Sequence, residues 1–286
     1  MDIKSAFKVE HLRYAYDKGE EILHDIDVMI PEGMVTGILG ANGCGKSTLL
    51  KLLAGNRKPK SGRITLFHED IRSYSRREYA KVVAVVHQQN TAPQDMTVRQ
   101  VVAAGRTPYQ CPLRYKESKE DQEIVTQVLE QMALSDLAEH PILDLSGGQM
   151  QRVWMAMALA QNTPVLLMDE ITTYLDIHYQ LEFMQMIRNL NQKYQKTEVM
   201  VLHDINQAMT YCDYIVVMKD GRVLAQGMTK EILTESLLEE AYGIRVHMMK
   251  DQDQRYCSFS LIEGETRDRK ERIRNDEEIN DENRAE

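Results

Sequence analysis

No apolar run in this sequence is long enough to cross a membrane. Runs such as VVAVV at 82–86 and VLLM at 165–168 fall far short of the roughly 20 residues a spanning helix needs. A basic-then-apolar segment of the signal-peptide kind is also missing at the N-terminus, so the chain is expected to be cytoplasmic. Cysteine is sparse. Cys44, Cys111, Cys212 and Cys257 are scattered, with no CxxC spacing, which indicates neither a disulfide framework nor a zinc site. An excess of basic residues is lacking too, and the net charge of −9 argues against nucleic-acid partners, which need a basic footprint. The local clusters RKPK at 57–60 and SRR at 75–77 read as solvated surface. What is present, 43% hydrophobic and 28% charged residues over 286 positions, suits a globular chain with one large domain or a domain carrying an insertion.

Along the chain, FKVEHLRYAY and EILHDIDVMI alternate as strands do, divided by the turn-like DKGEE. GMVTGILG reads as a buried strand feeding a glycine-rich loop, and KSTLLKLLAG as a helix closed by Gly55. GRITLF and VVAVVH add strands. From about 92 to 160 the apolar period becomes helical, in TVRQVVAAG, SKEDQEIVTQVLEQMAL and GGQMQRVWMAMALAQ. Strand PVLLMDE, helix YQLEFMQMIRNLNQKY and strand TEVMVLH follow. IVVMKDGRVLAQG then forms a hairpin turning at Asp220-Gly221. Residues 263–286 offer almost nothing apolar to bury and are expected to be a disordered or solvated tail. The alternation predicts an α/β fold: a mostly parallel sheet, an N-terminal antiparallel part and a helical insertion.

GANGCGKST at 40–48 matches GxxxxGK[ST] between a strand and a helix, the context the motif requires. Its amides, with Gly40, Asn42, Gly43, Cys44 and Gly45 in the loop, can wrap phosphate oxygens at the helix N-terminus. Lys46 supplies a point charge, Ser47 can ligate Mg²⁺, and Thr48 closes the motif. Cys44 is either a reactive thiol or a small residue the loop tolerates. Asp169, ending the buried run VLLM, is placed to hold the metal through its carboxylate. Glu170 is expected on the opposite side of the strand end, by the period-two rule, where it can orient and deprotonate a water.

LSGGQMQRV at 145–153 resembles the signature of ABC-type ATPases and, with GANGCGKST and VLLMDE, completes their motif set. The resemblance covers about residues 7–245. It implies the ABC ATPase fold, with residues 1–262 as the ATP-binding domain and the helical subdomain at about 92–160 inserted in a P-loop core. It also implies ATP and Mg²⁺ as ligands. Ser146, Gly147, Gly148 and Gln149 would face the nucleotide bound by a second copy, so two chains sandwich two nucleotides. Tyr16 is similar to the aromatic that stacks on adenine; an ordinary strand-end tyrosine is the alternative. Gln88 resembles the glutamine that reaches Mg²⁺ and water, Asp176 the acid that crosses the dimer interface, and His203 the histidine that contacts the γ-phosphate.

TTYLDI and QDMTVRQVVAAGRTPY are most similar to ATPases of bacterial importers for iron–siderophore complexes, haem and vitamin B12. Such a subunit is peripheral at the cytoplasmic face of the membrane. It works with transmembrane permease subunits and, indirectly, an extracytoplasmic substrate-binding protein. Residues from about Asn90 to Tyr109, Arg106 included, would line the groove for the permease. The family usually has proline after the catalytic glutamate, and this chain has Ile171, read here as a tolerated substitution. A soluble ABC ATPase of DNA repair, translation or cluster assembly is the competing class, and a binding-only subunit a third.

Overall fold

The computed structural model describes residues 3–16, 19–88, 90–91, 93, 95–110, 118–171, 176–251 and 254–262. The two alternating N-terminal segments form β1 (Ser5–Ala15) and β2 (Glu21–Pro31), paired antiparallel. The five-residue strand β3 (Val35–Leu39), buried throughout, runs into the glycine loop and α1 (Lys46–Leu53). Next come β4 (Ser61–Leu66) and β5 (Glu69–Asp70), the short capped helix α2 (Arg76–Tyr79), and β6 (Val83–Val86). Strands β1, β2, β4 and β5 make an antiparallel sheet in the order β2-β1-β4-β5.

The helical stretch contains α3 (Val98–Ala104), α4 (Lys119–Gln131) and α5 (Gly147–Ala160). Ser and Thr caps open each of them: Thr97, Ser118 and Ser146 accept backbone N–H groups of the first turn. The chain returns to the sheet as β7 (Val165–Asp169), crosses through α6 (Ile177–Tyr194) to β8 (Thr197–Val201), and continues through α7 (Ile205–Tyr211) to β9 (Tyr214–Lys219) and β10 (Arg222–Met228). Asp220 and Gly221, at φ 46° and 71°, give the turn the left-handed pair a tight hairpin requires. The main sheet has the order β10-β9-β3-β8-β7-β6, parallel except at β10. Sequence patterning missed the C-terminal unit: α8 (Thr229–Ile232), α9 (Glu235–Tyr242) and the hairpin β11 (Arg245–Asp251) with β12 (Gln254–Ser260). The expected tail at 263–286 lies outside the described residues.

Two cores lie on the two faces of the main sheet. Val165 and Leu167 join α1 and the antiparallel sheet, while Leu166 and Met168 join the helical side. That alternation is the period of two expected of a strand buried on both faces. It also aims Asp169, in register with Val165 and Leu167, at the α1 face.

Arg106 corrects the expectation of a permease-facing arginine. It is 4% exposed. Its Nε donates to Asp121 Oδ1 at 2.7 Å, its Nη1 to the Ala160 carbonyl at 2.9 Å, and its guanidinium lies 4.0 Å from the Tyr109 ring centre. The charge ties the end of α3 to α4 and α5. A buried cation needs such a complete set of partners.

A second buried titratable group is less well served. Glu198 in β8 is fully buried, and neither carboxylate oxygen has a hydrogen-bond partner among the described residues. Burial pushes its carboxyl up to about 8; Lys196 and Arg188 oppose the shift and Asp213 adds to it. A carboxyl raised on folding holds its proton more tightly in the native state. Its contribution to stability is therefore full below the unfolded pKa and is lost as pH rises through the folded one. Glu198→Gln is expected to leave stability near pH 4 almost unchanged and to raise it by roughly 3–4 kcal/mol near pH 8.5. Urea midpoints at the two pH values check this, and a pH-independent difference contradicts it.

Candidate active site

The glycine loop owes its shape to positions that side chains cannot occupy. Gly40, Gly43 and Gly45 have φ of 144°, 80° and 103°, values that favour glycine. A Cβ on Gly40 would fall 2.1 Å from the Met218 carbonyl oxygen, and one on Gly45 2.6 Å from Leu23 Cδ2. Over Gly43 the space is open, on the side from which an anion can approach. Lys46 is buried, and its Nζ donates to the carbonyls of Gly40 at 2.8 Å and Ala41 at 3.0 Å. Those bonds hold the ammonium over the loop. Cys44 is buried, and burial raises its thiol above the usual range, which favours the small-residue reading over a reactive thiolate.

Asp169 meets α1 as the alternation requires. The Ser47 hydroxyl lies beside its carboxylate and favours the charged form, while Oδ1 is buried with no partner among the described residues. Burial raises this carboxyl, with the Ser47 hydroxyl opposing. An orphaned anionic oxygen beside a hydroxyl is the donor set a hard cation such as Mg²⁺ takes, so these residues fit the ion.

Glu170 departs from the period-two expectation. The strand ends at Asp169, and Glu170 sits at φ 50°, a left-handed conformation that L residues seldom adopt. Partners from two other segments engage its carboxylate: Gln88 Nε2 donates to Oε2 at 2.9 Å, and His203 Nε2 lies 2.9 Å from Oε1. Gln88 follows β6 and His203 follows β8, the strands flanking β7. Three neighbouring strand ends thus converge on one carboxylate. Backbone strain of this kind persists where surrounding contacts over-determine it. Ile171 is 4% exposed and packs in the helical-side core, so it has an apolar role that its place beside Glu170 did not suggest. Tyr16 Oη lies 3.3 Å from Thr48 Oγ1, with the Arg57 guanidinium 5.7 Å from its ring centre.

The remaining predicted residues form a second group. Ser146 caps α5: its Oγ accepts the Gln149 N–H at 3.3 Å, and Gln149 Oε1 accepts the Ser146 N–H at 2.9 Å. This reciprocal box accounts for Gln149 without any ligand. It leaves Gly147 unexplained, since a Cβ there would meet nothing within 4 Å. Gly148 faces the Tyr179 ring of α6, whose N-terminus Asp176 caps by accepting the Tyr179 N–H at 3.1 Å. Residues 172–175, the rest of TTYLD, lie outside the described residues. Sequence reasoning missed Tyr242, whose Oη accepts the Gly40 N–H at 3.0 Å. Nothing in EEAYG points to a residue 202 positions away.

A parallel sheet whose central strand feeds a phosphate-type loop, with acids at the end of the next strand but one, defines a P-loop ATPase. More particularly, the chain belongs to the ABC transporter family, whose pattern matches residues 23–173. The ferric enterobactin transport ATP-binding protein FepC of Escherichia coli is 41% identical over 242 residues, covering 85% of this chain and 89% of its own. The achromobactin transport ATP-binding protein CbrD of Dickeya dadantii is 43% identical over 232 residues, covering 81% and 86%. The dimeric structure of a bacterial ABC transporter cassette superposes with a TM-score of 0.68 at 31% identity, covering 78% of this chain and 98% of that one. The protein is accordingly an ATP-binding ATPase subunit with the ABC fold.

The arrangement around Glu170 yields a direct test. Glu170→Gln keeps the size while removing the basic oxygen, and its single amide oxygen can still accept from Gln88 or from His203. ATP affinity is expected to stay near wild type and turnover to fall about 10²–10⁴-fold, the range of general-base assistance. Steady-state hydrolysis with parallel nucleotide-binding titrations measures both, and wild-type turnover would remove Glu170 from the role of base.

Proposed function

We propose that this chain is the ATP-hydrolysing subunit of a bacterial importer for iron–siderophore complexes. The names of relatives matched over more than four-fifths of the chain support that cargo class. The observation that carries the catalytic part is the Glu170 carboxylate held between Gln88 and His203, one residue beyond the orphaned oxygen of Asp169. The loop amides beyond Gly40 and the Lys46 ammonium bind the phosphates and offset charge that develops as the γ-phosphoryl leaves ADP. Ser47 and Asp169, with Gln88, would hold Mg²⁺, which when bound neutralises phosphate charge. Glu170 orients a water and takes its proton, and His203 and Gln88 fix that carboxylate until substrate contacts replace theirs. Phosphoryl transfer asks little else of a protein than this positioning.

Tyr16 supplies a ring for adenine. Ser146, Gly147 and Gly148 complete the site of a second copy, and Asp176 lies on the same surface. Three features support a homodimer closed over nucleotide: the open space at Gly147; exposed Ile177, Leu181 and Leu143 near Asp176 and Ser146; and the solved dimeric cassette. Permease subunits would dock beside the segment after β6. A groove lined by Ala54, Tyr74, Arg76, Tyr79, Val85 and Gln161 borders that strand and supports the placement, with Arg106 excluded from it. No helix of the described residues is long and apolar enough to cross a membrane, which fits a peripheral subunit at the cytoplasmic face. A substrate-binding protein would act through the permease alone.

Cells lacking this chain are expected to lose uptake of radiolabelled ferric siderophore and to regain it with the wild-type gene. Neither Lys46→Ala nor Gly148→Asp should restore it. The second variant should still bind ATP as an isolated chain, because the signature serves the other copy's site. Uptake that survives the deletion contradicts the cargo assignment, and a Gly148→Asp chain that transports normally contradicts the sandwich.

A further inference from the structure

The C-terminal unit, α9 with the β11–β12 hairpin, plays no part in the phosphate chemistry described above, yet it touches both sides of the site. On one side, Tyr242, the last residue of α9, accepts the backbone N–H of Gly40 at 3.0 Å. Gly40 opens the glycine loop and is buried. Its amide lies just beyond the last residue of β3, where the ladder to neighbouring strands has ended. A buried N–H without an acceptor is strongly unfavourable, and with the Met218 carbonyl crowding the position, it is the Tyr242 hydroxyl that accepts it. Burial pushes this phenol up to about 12, so it stays neutral at any ordinary pH.

On the other side, Asn206 lies in the first turn of α7, three residues after His203. Its Nδ2 donates to the Cys257 carbonyl at 3.2 Å and its Oδ1 accepts the Cys257 N–H at 2.6 Å, two bonds that fasten the hairpin to α7. The hairpin in turn holds α9, with Glu239 Oε1 accepting the Val246 N–H at 3.0 Å. Lys219 Nζ, next to Met218 in β9, donates to the Glu240 carbonyl at 2.8 Å. A continuous run of hydrogen-bonded segments therefore joins the helix after His203 to the first amide of the loop.

We infer that Tyr242 is a positioning residue that sets the entry of the phosphate loop through the Gly40 amide, braced by the α9–hairpin unit against α7. The inference rests on reading residues 40–48 as the ATP-phosphate loop. A loop whose first amide is pinned presents its remaining amides to the phosphates in one arrangement, and that advantage applies equally to ground and transition states. Loss of the pin should weaken nucleotide binding and spare the chemical step.

Tyr242→Phe removes only the hydroxyl. KM for ATP and the ATP Kd are expected to rise about fivefold to tenfold, the worth of one hydrogen bond, with kcat within about twofold of wild type. Asn206→Ala, which unfastens the brace, should raise KM in the same direction by a smaller factor. Val9→Ala, a core truncation in β1, is the control: it lowers the melting temperature and leaves KM unchanged. Wild-type KM in Tyr242→Phe, or a rise that Val9→Ala reproduces at equal thermal loss, overturns the positioning role. Unchanged KM in Asn206→Ala overturns the brace. Should the wild-type chain itself fail to bind ATP, the phosphate-loop reading falls instead, so the two failures are distinct.

Discussion

A backbone loop can hold phosphate only if its own chain leaves most of its amides unclaimed, and the surroundings of the loop after Gly40 are arranged around that requirement. Three glycines at positive φ expose the amides on one side. The other side is packed against Met218, Leu23 and Tyr242, and within the loop the Cys44 N–H donates to the Ala41 carbonyl at 3.3 Å, which makes it rigid. Lys46 is held by the Gly40 and Ala41 carbonyls, which fixes a cation that would otherwise need a counter-ion. The central place of β3 in the main sheet puts this loop beside the ends of β8 and β7, where the other charged groups emerge.

From that arrangement the rest of the site follows. Strand alternation sends Asp169 toward Ser47, and the left-handed turn at Glu170 swings the next acid toward Gln88 and His203. The two carboxylates are adjacent in sequence but have different partners, as two different roles demand. Asp169 keeps one oxygen unpartnered, while both Glu170 oxygens have donors beside them. The signature residues form a separate group capped onto α5 and packed against α6. That separation is consistent with the proposed sandwich, in which they meet nucleotide only across two chains.

Much of this was legible in the sequence. GANGCGKST carried its own strand and helix context, LSGGQMQRV its cap, and the apolar run before Asp169 its burial. Other features depend on contacts that no local pattern encodes. The φ of Glu170 arises from partners 82 and 33 positions away in the chain, Gln88 and His203. Arg106 reads as a surface charge beside TPY, and only the folded arrangement shows Asp121, Ala160 and Tyr109 enclosing it. The C-terminal hairpin was missed because VHMMKDQDQRYCSFS mixes polar and apolar residues without a clean period, its stability coming from α7 and α9. Gln149 looked ligand-directed in its motif, and its side chain proves to close a helix cap.

The central claim is that the orphaned Asp169 oxygen and Ser47 form the cation half of a nucleotide site whose anion half is the glycine loop. ATP affinity measured by calorimetry with and without Mg²⁺, for wild type and Asp169→Asn, tests it most directly. The account predicts that Mg²⁺ tightens ATP binding in the wild type, and that Asp169→Asn keeps the metal-free affinity but loses the gain. A variant that retains the full Mg²⁺ gain would contradict it.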